Sequence, residues 1–409
     1  MRVAYIMSKF PTLTETFIAR EILAMERAGL LIGIYPLRRQ RAGGLRQPEA
    51  DSVKGSIYDV PLVSPRILLS QLILLGTRPA RYLGALVALL HATWPSLNFV
   101  LGALAVFPKA AHLARLLESN GTEHVHCHFA NHPTSAGFVI WRLTGIPYSF
   151  TAHGSDIHRD RRGLGLKVAE AKFVVAISEF NRRVIIEECG EAVANRVHVI
   201  HCGVDPEQFP YRIRNSSAGR LRILCVGKLH EVKGQRFLLD ACRLLVSQGV
   251  AFQCHMVGDG PDRRALETRI HQYGLQKEVR LEGAKSSSDI ARLLQRATAL
   301  VAPSVPSSDG RKEGIPVALM EAMSSGVPVI ASRLSGIPEL VEEGETGLLV
   351  TPGDSVGIAR ALMSIRDDTA MARRLAIAGR KKIEDQFDVN RNAAELARRF
   401  RSVADDVSG

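Results

Sequence analysis

Along the chain, short apolar runs of strand length alternate with longer segments in which apolar residues recur every three or four positions. In the first half the runs are RVAYIM, LIGIYPL, EHVHCHFA, IPYSFTAHG, FVVAIS and VHVIHCGVD, and ETFIAREILAMERAG is the clearest helical stripe. This alternation predicts a parallel sheet with helices on both faces. Thr12 and Glu15 have capping-box spacing ahead of the first helix, and Gly29 is placed to end it. After YRIRNSSAGR the rhythm restarts. LRILCVG leads into a helix beginning near Gly234, and AFQCHMVGDG, VRLEGA, ALVAPS and VPVIAS each precede a helical segment. Five such units predict a second doubly wound domain with its ligand at the carboxyl ends of the strands. The expected division is residues 1–205 and 206–386, with a terminal helix from about 387 to 409 packing back on the first domain.

One segment departs from the rhythm. Tyr82 to Phe107 contains no Asp, Glu, Lys or Arg over 26 residues, long enough to raise a membrane-spanning helix. Trp94, Pro95, Ser96 and Asn98 cluster in its middle, which favours two shorter helices with a break. A single crossing here would also put strands of one sheet on opposite sides of a bilayer. The expectation is therefore that residues 67–107 pack on the domain or lie in a membrane interface. Leu86, Leu89 and Leu90 would then be inserted, with Arg66, Arg78, Arg81 and Lys109 meeting acidic headgroups.

Composition narrows the partners. The 409 residues exceed one ordinary core, and 53 Lys plus Arg against 41 Asp plus Glu leave a formal charge of +12, which suits an anionic ligand. Aromatics are 6% and no basic stretch interleaves them, so nucleic acid is not expected as a partner. Six scattered cysteines without a CxxC pair suit a reducing compartment, and the N-terminus lacks the apolar core and cleavage site of a signal peptide.

The candidate chemistry gathers at strand ends of the second half. Gly227, Lys228 and Lys233 follow LRILCVG, so two ammonium groups and free backbone N–H groups can face one anion. Gly258 and Gly260 flank Asp259 after the next strand and permit close backbone approach. In EGIPVALMEAMSSGVPVIAS, Glu313 precedes a helix whose start, Gly314, Ile315, Pro316 and Val317, offers a second anion site. Glu321 is a carboxylate on an otherwise apolar stretch, and a buried glutamate can accept from vicinal hydroxyls such as those of ribose. Histidines 124, 126 and 128 share one face of a strand, but no carboxylate or thiolate completes a metal set, since Cys127 points the other way. No metal is expected.

The motifs VGKLHEVKG, MVGDGPDRRALE, APS, EGIPVALMEAMSSGVPVIAS and SGIPELVEEGETGLLV, in this order, resemble those of retaining family 4 glycosyltransferases. That resemblance implies an α/β GT-B fold: two doubly wound Rossmann-like domains facing a deep cleft. SKFPTLTETFI, HVHCHFA, TGIPYSFTAHGSDIH and ISEFNRR are similar to the branch that builds bacterial exopolysaccharides such as colanic acid. The resemblance implies that Glu321 binds the donor ribose, Glu313 the transferred sugar, Lys228 and Lys233 the diphosphate, and that His153 lines the reaction centre. On the acceptor side it points to Ser8, Phe10, Thr14, Glu15, His128, Asp156, Ser178 and Arg182. The implied activity is metal-independent transfer of a hexose, with retention, from a nucleotide diphosphate sugar and without a further cofactor. The acceptor would be a polyprenyl-diphosphate-linked glycan, and the place the cytoplasmic face of the membrane, by peripheral contact. A non-catalytic nucleotide-sugar or polyanion-binding protein on the same scaffold is the alternative. Three departures stand out: Lys228 where arginine is usual, a Ser8–Thr14 loop without paired glycines, and Cys202 where asparagine usually precedes Gly203-Val204-Asp205.

Overall fold

The structure, a computed structural model, describes residues 1–12, 15–38, 47–61, 64–212 and 220–408. Each apolar run of the first half forms a strand: β1 (Arg2–Met7), β2 (Leu31–Pro36), β3 (His124–His128), β4 (Tyr148–Ala152), β5 (Phe173–Ala176) and β6 (Val197–Val199). They build one parallel sheet in the order β2-β1-β3-β4-β5-β6. The second sheet holds β7 (Leu221–Val226), β8 (Phe252–Val257), β9 (Val279–Gly283), β10 (Ala299–Ala302), β11 (Val329–Ser332) and β12 (Leu348–Val350). Its order is β12-β11-β10-β7-β8-β9, also parallel throughout. Read from β9, this is the doubly wound order 3-2-1-4-5-6, with its switch point between β7 and β10. The sequence reading missed β12, whose three residues are too short to register as a run.

Helix α1 (Thr16–Arg27) has Glu15 as its N-cap, three residues later than a capping box at Thr12 and Glu15 requires. The Thr12 hydroxyl donates to Glu15 Oε2 at 3.0 Å, and Glu15 caps no backbone N–H with its side chain. Gly29 does end the helix, with φ of +82° just beyond the C-cap Ala28. The short α2 (Pro48–Asp51) packs against α1. Three more helices follow: α3 (Pro65–Thr77), α4 (Pro79–Thr93) and α5 (Leu97–Ser119). The expected break near Pro95 thus separates α4 from α5.

Among the described residues, α5 alone is long and apolar enough to cross a membrane; 44% of its apolar window is buried, while α3 and α4 meet at 114°. The buried faces of this layer belong to the core: Ile67, Leu74, Leu89 and Phe107 pack inward. Two expectations are corrected here. Leu89 is a core residue, 2% exposed, so it is not free to insert. Lys109 is also buried, its ammonium donating to the carbonyls of Pro36, Leu37 and Val60, so it meets no headgroup. The outward face carries ten of the fifteen exposed large hydrophobics found among the described residues, including Leu72, Val87, Trp94 and Leu101. Arg66 and Arg81 flank it in the open, whereas Arg78 is drawn to Glu118 and the Leu143 carbonyl.

The last helix, Val389–Ser408, packs on α1, and its Phe400 ring lies 4.9 Å from His124 and 5.2 Å from His126. On this covered face of the first sheet, Ser149 Oγ meets His124 Nε2 at 2.7 Å and His126 Nδ1 at 2.8 Å, and Thr151 Oγ1 meets His126 Nε2 at 3.0 Å. Hydroxyls on the neighbouring strand thus engage both ring nitrogens of His126 and one of His124, whose Nδ1 has no partner among the described residues.

Candidate functional site

The carboxyl ends of both sheets face one cleft of about 1550 Å³. Lys228 follows β7, and the segment 303–316 connects β10 to the helix Val317–Ser324, so the two flank the switch point of the second sheet. Lys228 is exposed, and Lys233 Nζ pairs with Glu313 Oε2 at 2.7 Å. A cation and a carboxylate thus stand side by side on the cleft wall, able to take a phosphate oxygen and a hydroxyl proton respectively. Gly314, Ile315, Pro316 and Val317 line the same cleft, as do Gly227 and Gly258.

The glycines have identifiable reasons. At Gly314 a Cβ would come within 2.5 Å of the His153 carbonyl oxygen, so this glycine lets the two domains touch across the cleft. At Gly258, with φ of +139°, a Cβ would sit 2.0 Å from the Gly227 carbonyl oxygen. Gly260 does not line the cleft; it packs against the backbone of Leu229, where a Cβ would meet the carbonyl oxygen at 2.2 Å. Its placement is that of loop packing between β7 and β8, not of direct ligand approach.

From the first domain, His153 enters the cleft at the end of β4, with its ring among Phe17, Phe129 and His128. Its Nε2 lies 3.1 Å from His128 Nδ1, and its Nδ1 lies 3.7 Å from Cys202 Sγ. Burial, and then the nearby His128, hold the His153 imidazole well below its ordinary pKa. Both ring nitrogens face protein groups, so the backbone carbonyl is the part of His153 set against Gly314. Cys202, standing where asparagine was expected, is a half-buried thiol at the cleft whose pKa burial pushes up.

The acceptor-side candidates divide. Glu15 lines the cleft, its carboxyl raised by burial, with the Thr12 hydrogen bond acting against that rise. Asp156 is instead buried and accepts from the backbone N–H groups of Ala130, His153 and Gly154. Ser178 is the N-cap of the helix Glu179–Cys189, and Arg182 donates to the carbonyls of Val197 and Ala194. Phe10 is a core residue, His128 is fully buried, and the Ser8 carbonyl accepts from Arg38. None of these six lines the cleft cavity, because each is committed to holding the strand-end loops together. Thr14 lies outside the described residues.

A carboxylate does join the histidines, contrary to the expectation from sequence. Glu21, on α1, places a ligand atom within 4.8 Å of those of His126 and His128, and its Oε1 also accepts from the Tyr5 hydroxyl at 2.9 Å. The hydroxyls of Ser149 and Thr151 occupy both ring nitrogens of His126, so the cluster is knit into the sheet as a hydrogen-bond network.

Sequence reasoning also missed the partner of Glu321. The carboxylate is 5% exposed at the cleft, and its Oε1 accepts from Arg20 Nη2 at 2.8 Å. Burial raises the Glu321 carboxyl and the Arg20 guanidinium opposes that rise. Arg20 sits on the buried stripe of α1 beside Ile18, Ala19 and Ile22, so a charge on an apolar helix face was the available signal.

Residues 73–208 match the family model described as Glycosyltransferase Family 4, and residues 211–382 match the one described as Glycosyl transferases group 1. The amylovoran biosynthesis glycosyltransferase AmsK of Erwinia amylovora is 35% identical over 258 residues, 61% of this chain and 63% of that protein. The putative colanic acid biosynthesis glycosyltransferase WcaL of Escherichia coli K12 is 40% identical over 205 residues, 49% of this chain and 50% of that protein. The matched part therefore spans less than two thirds of either relative's length. Among solved structures, Anabaena Alr3699/HepE in complex with UDP-glucose superposes with a TM-score of 0.74 over 98% of this chain and 100% of that one, at 19% identity. The likeness establishes the GT-B fold of two Rossmann-like domains. The two family models thus match in tandem, the first over the stretch that holds β3 to β6 and the second over the whole of the second sheet.

Proposed function

We propose that the protein is a retaining glycosyltransferase of exopolysaccharide assembly, moving a hexose from a nucleotide diphosphate sugar to a hydroxyl of a lipid-linked glycan. The observation that carries this reading is the convergence of Lys228, Lys233, Glu313, Glu321 and His153 on one cleft between the domains. Negative charge develops on the leaving diphosphate, and fixed cations at Lys228 and Lys233, with the N-terminus of the helix Val317–Ser324, stabilise it. Glu313 orients the transferred sugar, and Glu321 takes the ribose diol. The departing phosphate receives the acceptor proton, so the chemistry is written without a metal. Residues 1–205 serve the acceptor and residues 206–386 the donor. The relatives named for amylovoran and colanic acid biosynthesis support the exopolysaccharide assignment.

The outward apolar face of α3 to α5, rimmed by Arg66 and Arg81, attaches the first domain to an anionic cytoplasmic membrane surface and brings the cleft to its acceptor. The test is release of nucleoside diphosphate from a panel of UDP- and GDP-sugars, with and without polyprenyl-diphosphate-linked oligosaccharide, repeated in excess chelator. Acceptor-dependent release that survives chelation is the expected result. Tight donor binding without turnover would make the protein a nucleotide-sugar binder instead.

A further inference from the structure

Arg20 is 2% exposed, Glu49 and Glu321 are each 5% exposed, and the three form one buried cluster at the cleft. Arg20 Nη2 donates to Glu321 Oε1 at 2.8 Å and to Glu49 Oε1 at 3.0 Å, while its Nε reaches the same Glu49 oxygen at 3.2 Å. The guanidinium lies 5.2 Å from the centre of the Phe209 ring. On its other oxygen, Glu49 accepts from Ser287 Oγ at 2.9 Å, and the neighbouring Gln47 Oε1 accepts from Ser287 N at 2.8 Å. Arg20, Gln47 and Glu49 belong to the first domain, and Ser287 and Glu321 lie on helices of the second, Ser287–Leu294 and Val317–Ser324. Three hydrogen bonds therefore cross from one domain to the other at a single buried point. One of them holds the carboxylate read above as the ribose acceptor.

Two features of this geometry matter for the donor. A carboxylate out of water needs a compensating charge to stay ionised, and a ribose diol, as a double donor, is best met by an ionised carboxylate. Arg20 supplies that charge while engaging only Oε1, which leaves Oε2 of a cleft-lining side chain for the diol. Because the guanidinium comes from the opposite domain, the carboxylate is aimed only when the domains meet, and the same contact opposes the burial that would favour its neutral form.

We infer that Arg20 is a positioning residue for donor recognition, holding Glu321 from across the cleft so that the ribose diol is read in the closed state. The inference rests on the assignment of Glu321 to the ribose, and the test separates the two. Binding of UDP and GDP and of their 2′,3′-dideoxy forms is measured by calorimetry on the full chain and on Arg20→Met, Arg20→Lys, Glu321→Gln and the Arg20→Met, Glu321→Gln pair. The unaltered protein is expected to prefer the ribose form of its nucleotide by about tenfold or more, on the scale of hydrogen bonds to a charged group. Arg20→Met is expected to bring that preference below about threefold, Arg20→Lys to leave it in between, and the pair to match Glu321→Gln alone. If Arg20→Met does not fold, Arg20→Lys carries the same comparison. Equal loss for the ribose and dideoxy forms in the Arg20 variants would overturn the inference and leave Arg20 a structural contact. An unchanged preference in Glu321→Gln would overturn the ribose assignment itself.

Discussion

The covered face of the first sheet is polar where the second sheet is apolar. His124 and His126 fill that face beneath Phe400, hydrogen-bonded to Ser149 and Thr151, whereas both clusters packed around β7 to β12 are built of Leu, Ile, Val, Ala, Met, Phe and Cys. In the second domain the chemistry sits on loops at the strand ends and on the one helix that carries Glu321, over a sheet that has no part in it. In the first it runs through the core, since Glu21, His128 and His153 connect the interior of the sheet to the cleft. Altering the site should therefore spare stability on one side of the cleft and cost it on the other.

Acid should expose the difference most strongly. Burial holds His124 down to about 3 and His158 to about 4, and His126 and His153 well below the usual range. The unfolded chain binds protons at these positions below about pH 6.5 while the folded one does not, so stability falls as the pH drops through that value. Each contributes up to about 1.4 kcal/mol per pH unit. Glu15, Asp156 and Glu321, raised by burial, act in the opposite sense at lower pH. All four histidines lie in the first domain, and so do both tryptophans, Trp94 and Trp141. Tryptophan emission should thus report unfolding between pH 6.5 and 5 before far-UV circular dichroism is fully lost. Coincident loss of the two signals would remove the asymmetry.

Glu313→Gln should leave the melting temperature close to that of the unaltered protein while lowering turnover by about 2 to 4 kcal/mol, roughly 30- to 1000-fold. Unchanged turnover at saturating donor would end its role beside the sugar. His126→Leu should do both kinds of damage. It strands the hydroxyl of Thr151 and leaves that of Ser149 with His124 alone, at a cost of about 1 to 3 kcal/mol, and by loosening His128 and His153 it lowers turnover as well. Full activity in a destabilised protein would show that the core and the cleft are independent here too. Smallest in stability is the outer face. Leu72→Ser, Val87→Ser and Leu101→Ser together should abolish flotation with anionic vesicles at a cost within about 0.5 kcal/mol per site, while Leu89→Ser should cost about 2 to 5 kcal/mol. Vesicle binding unaffected by the triple change would detach this face from the membrane.

What was legible in sequence follows the same division. Lys228, Lys233 and the stretch from Glu313 to Glu321 are local strand-end signals, and the fold places them on one cleft. Strands read as apolar runs because a parallel sheet buries both its faces. Arg20 meets Glu321 across 301 positions and Glu49 meets Ser287 across 238, and Glu21 meets His128 only through tertiary contact, so no spacing could announce them. Ser178, Asp156 and Arg182 could not be sorted from sequence for a related reason. Polar residues at strand ends are as readily consumed by capping and loop closure as by a ligand, and only geometry separates the two.

The chain passes between the domains beside itself. Val204 N donates to the Phe387 carbonyl and Val389 N to that of Val204, each at 3.0 Å, and at Gly203 a Cβ would collide with Phe387 and Val389. Two crossings laced together act as one pin, so sliding is resisted and rotation about the pair remains as the soft motion. Cys202 adjoins this pin and touches His153, which therefore sits near the axis and sweeps through little arc. The reaction centre can hold its register while the jaws of the cleft swing open and shut.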